Sequence, residues 1–302
     1  MLRVLMTGAG GYLGSSLLAR LPDWNITALG TEKPGIILPD NFTFIKGSIT
    51  DDQLVYELTK NIDLVLHLAA VKGSEQCREK PLETIEINVW GTHTLLKNAL
   101  LNNVQRFIFA STYWVYGGTN ELPFKESMPA RPDELYGISK AVSEMEITGS
   151  DIDYVILRFT NIFGLGSGIK HEDVVFNFIK SAVERKPLNV FGEGTQKLDF
   201  IEIGDVCNCL LRISQNKEIS RRILNVGSGR PVTINELAEI IKLTLYNEYQ
   251  TEVPIVHPPF QVKADDKWVS IVELENKTGT VIEEALEQSI KKFFRDYKEK
   301  YC

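Results

Sequence analysis

The segment YGISK places a phenol, Tyr136, and an ammonium, Lys140, four positions apart. Positions i and i+4 share one face of a helix, so the two side chains would point the same way. A nearby ammonium stabilises a phenolate and lowers a pKa that is ordinarily about 10. Tyr136 could then exchange a proton near neutral pH. The same spacing also occurs in exposed helical turns, so its interpretation depends on the neighbouring elements.

A second chemical signal is the stretch TGAGGYLG, which follows the first short apolar run of the chain. Gly8, Gly11 and Gly14 have G-x-x-G-x-x-G spacing just before a predicted helix. The first glycine permits a tight turn, the second lets backbone approach a pyrophosphate, and the third allows close helix packing. Because the loop lies between a strand and a helix, it predicts binding of NAD or NADP.

The second strand, NITALG, does not decide whether the cofactor's ribose carries a 2′-phosphate. It ends at Gly30, where an acid that binds the adenosine ribose would ordinarily stand. Glu32 could replace that acid and favour NAD, whereas Thr31 and Lys33 could hold a 2′-phosphate and favour NADP. A merely solvated loop is the third interpretation.

Short apolar runs alternate with helical patterns through the first half of the chain, which predicts an α/β fold with a doubly wound, Rossmann-like parallel sheet. The run RFIFAST ends in Ser111 and Thr112, so hydroxyls emerge at the carboxyl end of the sheet, where such folds bind ligands. We predict a dinucleotide-binding domain over residues 1–163, to which 198–225 return, and a smaller mixed, mostly substrate-binding region over 164–302. Helices are predicted there at about 172–185, 204–213, 233–246 and 283–296.

Composition narrows the class of protein. The 302 residues are 43% hydrophobic and 24% charged with a formal net charge of −7, which indicates a globular protein that does not bind nucleic acid. No apolar run reaches the length of a membrane span, and the opening MLRVLMTG leaves no room for a signal peptide. Four cysteines without metal or disulfide spacing fit a reducing cytoplasm. We expect His67 to be a core residue and, since His171 and His257 lack ligand partners, we predict no metal.

Eight ordered segments resemble the extended short-chain dehydrogenase/reductase family, specifically its nucleotide-sugar epimerase/dehydratase branch. The resemblance covers nearly the whole chain, in TGAGGYLG, DLVLHLAA, INVWGTHTLL, FIFASTYWVYG, YGISK, LRFTNIFG, VFGEGTQKLDFIEIGDV and ILNVGSGRPVTINEL.

The resemblance implies a role for each matched residue. Tyr136 would exchange a proton with a sugar hydroxyl or ketone, Lys140 would lower its pKa and hold the nicotinamide ribose, and Thr112 would bind the same substrate oxygen. Further cofactor contacts are expected at Tyr12, Leu13, Glu32, Ser48, Ile49, Leu68, Ala69, Ala70 and Asn88, and further substrate contacts at Ser111, Tyr113, Asn161 and Lys197.

Three departures from the family pattern restrict the chemistry. Sugar 4,6-dehydratases carry an Asp-Glu pair directly after the position of Thr112, where this chain has Tyr113 and Trp114, so dehydration is disfavoured. Leu198 stands where an arginine usually binds the nucleotide diphosphate. A second such arginine, expected in the segment HPPFQVKADDK, is not evident. Lys197 or Lys263 could substitute as point charges. Ser48 replaces an aspartate that commonly contacts adenine.

Four functions can be compared with these residues. The leading one is an NAD(P)-dependent epimerase that acts on a nucleotide sugar, most plausibly at C4, and the alternative is an NADPH-dependent 4-keto-sugar reductase. A sugar-nucleotide dehydratase or a non-catalytic Rossmann sensor fits the triad less well. The resemblance also implies a homodimer, through the helices of VWGTHTLLKNALL and YGISKAVSEMEI.

Overall fold

Residues 1–35, 41–118, 121–166, 173–259, 265–279, 282 and 285–301 are the part of the chain that the computed structural model describes. The strands, in chain order, are β1 (Arg3–Thr7), β2 (Asn25–Gly30), β3 (Phe42–Lys46), β4 (Leu64–His67), β5 (Arg106–Thr112), β6 (Asp153–Phe159), β7 (Asn161–Phe163), β8 (Leu188–Asn189), β9 (Lys197–Leu198), β10 (Phe200–Glu202), β11 (Arg222–Val226), β12 (Val232–Thr233) and β13 (Ile255–Val256).

The helices include all four that the sequence predicted in the second half of the chain. In order they are α1 (Tyr12–Leu18), α2 (Asp52–Thr59), α3 (Ser74–Glu79), α4 (Pro81–Thr84), α5 (Thr92–Leu101), α6 (Leu135–Gly149), α7 (Val174–Val183), α8 (Ile203–Gln215), α9 (Ile234–Tyr249), α10 (Val272–Thr278) and α11 (Leu286–Tyr301). A π-helical turn, Ile85–Gly91, joins α4 to α5, and a 3₁₀ turn, Tyr113–Tyr116, follows β5.

Seven parallel strands form the central sheet in the order β11-β6-β5-β4-β1-β2-β3, which confirms the predicted fold class. From β1 the chain runs outward to β2 and β3, and then crosses to β4, β5 and β6 on the other side. The reversal between β1 and β4 opens a crevice at the carboxyl ends of these strands, where doubly wound folds bind ligands. Phe109 pairs with His67, the last residue of β4, so the end of β5 projects beyond its neighbour.

Each strand of the sheet contributes to two apolar cores because alternate residues face opposite sides. In β1, Val4 and Met6 pack towards α1 and α8, whereas Leu5 packs towards α5 and α6. β11 pairs with β6 and so brings residues 222–226 back to the sheet. The division into two domains at residue 163 stays a prediction.

A separate apolar core joins α7, α9 and α11. Phe293 and Phe294 are buried in it, as the amphipathic pattern of the last helix predicts. Helix α10 was not predicted, and its buried Leu274 packs back on the sheet core instead. Within the described ranges, every helix is too short or too polar to cross a bilayer.

Candidate active site

The loop between β1 and α1 needs glycine at two positions for reasons internal to the protein. Gly8 has φ +72°, and a Cβ there would lie 2.6 Å from the amide nitrogen of Ala69. A Cβ on Gly14 would lie 2.3 Å from the carbonyl oxygen of Gly8. Gly11 differs, because its Cβ would meet only that same oxygen, at 3.1 Å. The backbone at Gly11 therefore has open space beside it, which fits the approach of a cofactor phosphate.

Other residues predicted to contact the cofactor lie around this loop. A Cβ on Gly10 would lie 2.4 Å from the carbonyl oxygen of Glu32, so the exposed loop of residues 31–33 adjoins the glycines. Residues 68–70 follow β4 and are half-buried, and the amide of Ala69 donates to the Thr7 hydroxyl over 3.2 Å. We call residues 8–14, 31–33 and 68–70 the cofactor wall.

Three predicted cofactor contacts have structural partners of their own. The Tyr12 phenol donates to the carbonyl oxygen of Gly164 over 2.9 Å, and the Ser48 hydroxyl lies 2.8 Å from that of Thr50. Ile49 is buried, with its Cδ1 2.5 Å from where a Cβ on Gly91 would stand. Leu13 is half-buried at the start of α1.

His67 is a core residue, as the sequence predicted. Its Nδ1 lies 2.7 Å from the Thr7 hydroxyl and its Nε2 lies 2.8 Å from the Thr92 hydroxyl, and the side chain is fully buried. Burial holds its pKa well below the ordinary value, and the nearby charge of Lys140 adds to that effect. A neutral histidine with both nitrogens hydrogen-bonded ties β1 and β4 to α5 beneath the crevice.

Asn88 lies in the π-helical turn and joins two elements around the crevice. Its Oδ1 accepts from the amide of Val71 over 2.8 Å, and its Nδ2 donates to the Val71 carbonyl over 2.8 Å. The same Nδ2 donates to the Ser139 hydroxyl over 3.0 Å. The amide therefore fixes the loop after β4 against helix α6, which carries Tyr136 and Lys140.

Thr112, Tyr136 and Lys140 come together where β5 ends against α6. The Thr112 side chain lies beside the Tyr136 phenol and acts to lower its pKa. The Nζ of Lys140 donates to the Ala110 carbonyl over 2.7 Å and lies 4.5 Å from the centroid of the Phe109 ring. Burial lowers the pKa of Lys140 to about 7.

The pKa of Tyr136 differs from the sequence-based expectation. Burial raises it above its ordinary value, and the nearby Thr112 side chain offsets only part of that rise. Lys140 donates to a backbone carbonyl instead of to the phenol. In the protein by itself desolvation outweighs the stabilisation of a phenolate, so Tyr136 is protonated at neutral pH.

Ser111, which the resemblance assigns to the substrate, has its hydroxyl bound within the protein. Its hydroxyl donates to the buried carboxylate of Glu144 in α6. Adjacent strand residues point to opposite faces, a signal that could have assigned only one of Ser111 and Thr112 to the site. Sequence reasoning also missed Glu144, although it follows Lys140 by one helical turn.

Tyr113 and Asn161 link the end of β5 to β7. The Tyr113 phenol donates to Asn161 Oδ1 over 3.2 Å, and Asn161 Nδ2 donates to the carbonyl of Asp199 over 2.9 Å. Tyr113 is buried, so its ring supports the turn after Thr112. The two positions that hold acids in dehydratases are thus occupied by a packed phenol and by Trp114.

A cluster beside the turn after β5, which we call the substrate wall, consists of Trp114, Lys197, Leu198 and Lys267. The Nζ of Lys267 lies 3.8 Å from the centroid of a Trp114 ring, and the Lys267 amide donates to the Lys197 carbonyl over 2.8 Å. Lys197 is exposed, whereas Leu198 is half-buried against the core of α7, α9 and α11. Two cations therefore stand where the sequence lacks the usual arginines.

Lys267 was not singled out from the sequence, although it lies in the segment where a second arginine was expected. Lys263 and His171 lie outside the described residues. In the part of the chain that the structure describes, no group of three or more His, Cys, Asp or Glu side chains could hold a metal ion.

The chain is similar to known nucleotide-sugar epimerases and dehydratases. The chain is 29% identical over 266 residues to the UDP-glucose 4-epimerase of Halalkalibacterium halodurans, covering 79% of each chain. It is 31% identical over 271 residues to the dTDP-D-glucose 4,6-dehydratase of Mus musculus, covering 83% of this chain and 75% of that one. A solved UDP-N-acetylglucosamine 4-epimerase from Methanobrevibacter ruminantium superposes with a TM-score of 0.87 at 25% identity, covering 99% of this chain and 98% of the other.

A family model described as the NAD dependent epimerase/dehydratase family matches residues 4–227. That span includes the glycine loop, the triad and the return of β11 to the sheet. The chain belongs to this family and is an NAD-dependent enzyme of the extended short-chain dehydrogenase/reductase type.

Proposed function

We propose that the enzyme is a nucleotide-sugar epimerase that inverts C4 and retains its NAD throughout the cycle. The observation that carries the proposal is the position of Thr112, at the carboxyl end of β5, beside the Tyr136 phenol, with Lys140 on the same helix face. Without the Asp-Glu pair of the dehydratases, this set can move one proton between a sugar oxygen and Tyr136 but has no carboxylate for elimination.

In the proposed mechanism Thr112 and Tyr136 bind the O4 oxygen of the sugar. Tyr136 holds the proton that leaves the hydroxyl and returns it to the same oxygen, so no net proton is consumed. When bound, NAD supplies the hydride acceptor and donor and, in its oxidised form, a positive charge. Because burial alone favours the protonated phenol, positive charge from the nicotinamide and from Lys140 is needed to release the proton. The cofactor wall and Lys140 would hold the NAD.

The substrate wall supports a nucleotide diphosphate as the other half of the substrate. Lys197 and Lys267 would each act as a point charge towards phosphate oxygens, in place of a bidentate arginine. The names of the relatives support the same class, since they include UDP-glucose and UDP-N-acetylglucosamine 4-epimerases. We favour a UDP sugar on this basis.

A second candidate, an NADPH-dependent 4-keto-sugar reductase, is favoured by one observation. Thr31 and Lys33 are exposed beside the glycine loop, and no acid stands at Gly30. A hydroxyl and an ammonium there suit a 2′-phosphate, whereas Glu32 suits the free ribose hydroxyls of NAD.

Native mass spectrometry of the purified enzyme, followed by incubation with UDP-glucose, UDP-N-acetylglucosamine and dTDP-glucose, tests the proposal. We expect retained NAD and the appearance by NMR of the C4 epimer of one UDP sugar without added cofactor. Stoichiometric consumption of NADPH with a 4-keto sugar, and no epimer, would replace the epimerase with the reductase. Formation of a 4-keto-6-deoxy product would show that the chain dehydrates without the usual acids.

We also propose that the enzyme is a homodimer, with α5 and α6 of each copy at the interface. Their outer faces expose apolar side chains, including Leu101 at 61% and Met145 at 73% of full exposure. A paired Leu101→Glu and Met145→Glu variant should run as a monomer by light scattering. Leu243→Glu, an equally exposed leucine on α9, is the matched control and should leave the mass unchanged. An unchanged mass in the paired variant would place the interface elsewhere.

The cytoplasm is the proposed location. Cys77 and Cys207 are buried, free thiols, as suits a reducing compartment.

A further inference from the structure

A buried polar network lies behind the catalytic helix. Glu144 and Arg158 form an ion pair, with Arg158 Nη2 donating to Glu144 Oε2 over 2.6 Å and Arg158 Nε donating to Oε1 over 3.0 Å. Ser111 donates to the same carboxylate. Ser111, Glu144 and Arg158 are each less than a tenth exposed. Three donors hold this carboxylate in one place in a dry environment.

The network adjoins Lys140 from two directions. Glu144 follows Lys140 by four residues on α6, so their side chains share a face. Both side chains also reach consecutive residues of β5, because Lys140 donates to the Ala110 carbonyl and Glu144 accepts from Ser111. The ammonium and the carboxylate are therefore neighbours across the same short stretch of strand.

The elements packed against Lys140 place titratable groups near its ammonium. Helix α6 contributes Glu144 and Tyr136, and α3 contributes the thiol of Cys77. Strand β4 contributes the neutral His67, and β5 contributes only a ring and a carbonyl. Glu144 is the one ionised acid of this set, and it opposes the lowering of the Lys140 pKa by burial.

Arg158 determines whether Glu144 can oppose the lowering of the Lys140 pKa. Its guanidinium lies 4.6 Å from the centroid of the Tyr116 ring, and the Tyr116 phenol donates to Asn225 over 2.8 Å. The cation is thus fixed on the side of Glu144 that belongs to β6 and the sheet. Arg158 donates to the Glu144 carboxylate, and Lys140 remains the residue that donates to the Ala110 carbonyl.

We propose that Ser111, Glu144 and Arg158 form a positioning device for Lys140, in which the buried carboxylate of Glu144 keeps the ammonium charged in the desolvated site. It rests on the proposed role of Lys140, but it concerns the charge of the free enzyme and requires no substrate. Loss of this carboxylate would leave Lys140 neutral at the pH where the enzyme works, and the phenolate of Tyr136 would lose the support of the lysine's positive charge.

The test measures the titration of Lys140 directly. Lysine labelled with ¹³C at the ε position is followed by NMR between pH 5 and 10, and Lys140→Met identifies the Lys140 signal. Wild type should titrate near pH 7. In Glu144→Gln the midpoint should fall by at least about one pH unit, since an opposite charge nearby is lost while Arg158 remains. Glu146→Gln makes the same charge change on the outer face of α6 and should leave the midpoint where it is in wild type.

A second variant covers the case in which Glu144→Gln does not fold, because it leaves a buried arginine unpaired. Glu144→Leu with Arg158→Met removes both charges and should also lower the midpoint, though less than Glu144→Gln. A midpoint unchanged in both variants, or lowered equally by Glu146→Gln, would overturn the proposal. Failure of the enzyme to epimerise any sugar would instead overturn the proposed function, and the titration would be unaffected.

Discussion

The cofactor wall and the substrate wall are built in different ways. At Gly8 and Gly14 the backbone itself forbids a side chain, with atoms of neighbouring backbone less than 3 Å from the site of a Cβ. The substrate wall consists of side chains, such as Lys267 held over Trp114. The first kind of wall depends on main-chain geometry common to dinucleotide-binding loops, and the second can change with single substitutions. We therefore expect cofactor binding to depend on the backbone of the loop, and substrate choice to depend on individual side chains.

Removal of the Tyr136 hydroxyl should have the largest effect. Tyr136→Phe keeps the ring and its packing but loses the hydroxyl, so turnover should fall by about 10²-fold or more through loss of proton transfer. Cofactor affinity and melting temperature should stay close to those of wild type. Steady-state rates, calorimetric titration with NAD and a melting curve are the measurements. Turnover near that of wild type would exclude Tyr136 as the proton-transfer residue.

The cofactor wall can be separated into its structural and binding parts with two glycine variants. Gly11→Val introduces a side chain into open space, so it should weaken NAD binding by about 1–3 kcal/mol while secondary structure persists. Gly14→Ala meets backbone at 2.3 Å and should lower the melting temperature instead. Calorimetry and circular dichroism distinguish the two. Equal NAD affinity in Gly11→Val and wild type would remove this loop from the binding site.

The Leu198→Arg variant tests whether the substrate wall can accommodate the arginine of the family pattern. Its side chain packs on the core of α7, α9 and α11, and its strand neighbour across the bridge is Lys267. Leu198→Arg should therefore cost about 1–3 kcal/mol of stability, because a guanidinium replaces an apolar contact beside another cation. Thermal melts and UDP titration measure the outcome. Tighter UDP binding with no loss of stability would show that phosphates reach this strand.

Lys267 should have the smallest effect of these residues. Lys267→Met keeps an aliphatic chain over Trp114 and removes the charge, so UDP affinity should fall about tenfold, the lower end of the range for a charged hydrogen bond. NAD affinity should not change. The exposed Lys217→Met, near the amino ends of β4 and β5, serves as the control for loss of one positive charge. Equal losses of UDP affinity in the two variants would contradict a specific role for Lys267.

Main-chain constraints explain why the fold and the triad could be predicted from the sequence. The glycine spacing and the i, i+4 relation of Tyr136 and Lys140 are consequences of local geometry, and both recur in the structure. The alternation of strands and helices likewise predicted the parallel sheet. These features need only a few neighbouring residues to specify them.

The parts that escaped prediction depend on partners distant in the chain. Whether Ser111 faces the substrate or Glu144 is decided by helix α6, which begins 24 positions later at Leu135. Lys267 is buried against Trp114, although lysine is among the residues least often buried. The pKa of Tyr136 rises because burial outweighs its polar contacts, and burial cannot be read from the spacing of two residues.

The π-helical turn at Ile85–Gly91 limits the length of the chain at this point. A π turn accommodates an extra residue in an otherwise continuous helix. Deleting one residue here would restore regular helical hydrogen bonding but rotate the preceding part by about 100° relative to α5. Asn88 would then leave Val71, or Leu95 and Leu96 would leave the core. An insertion or deletion between the crevice and α5 therefore breaks one of these two sets of contacts even where each individual residue can be substituted.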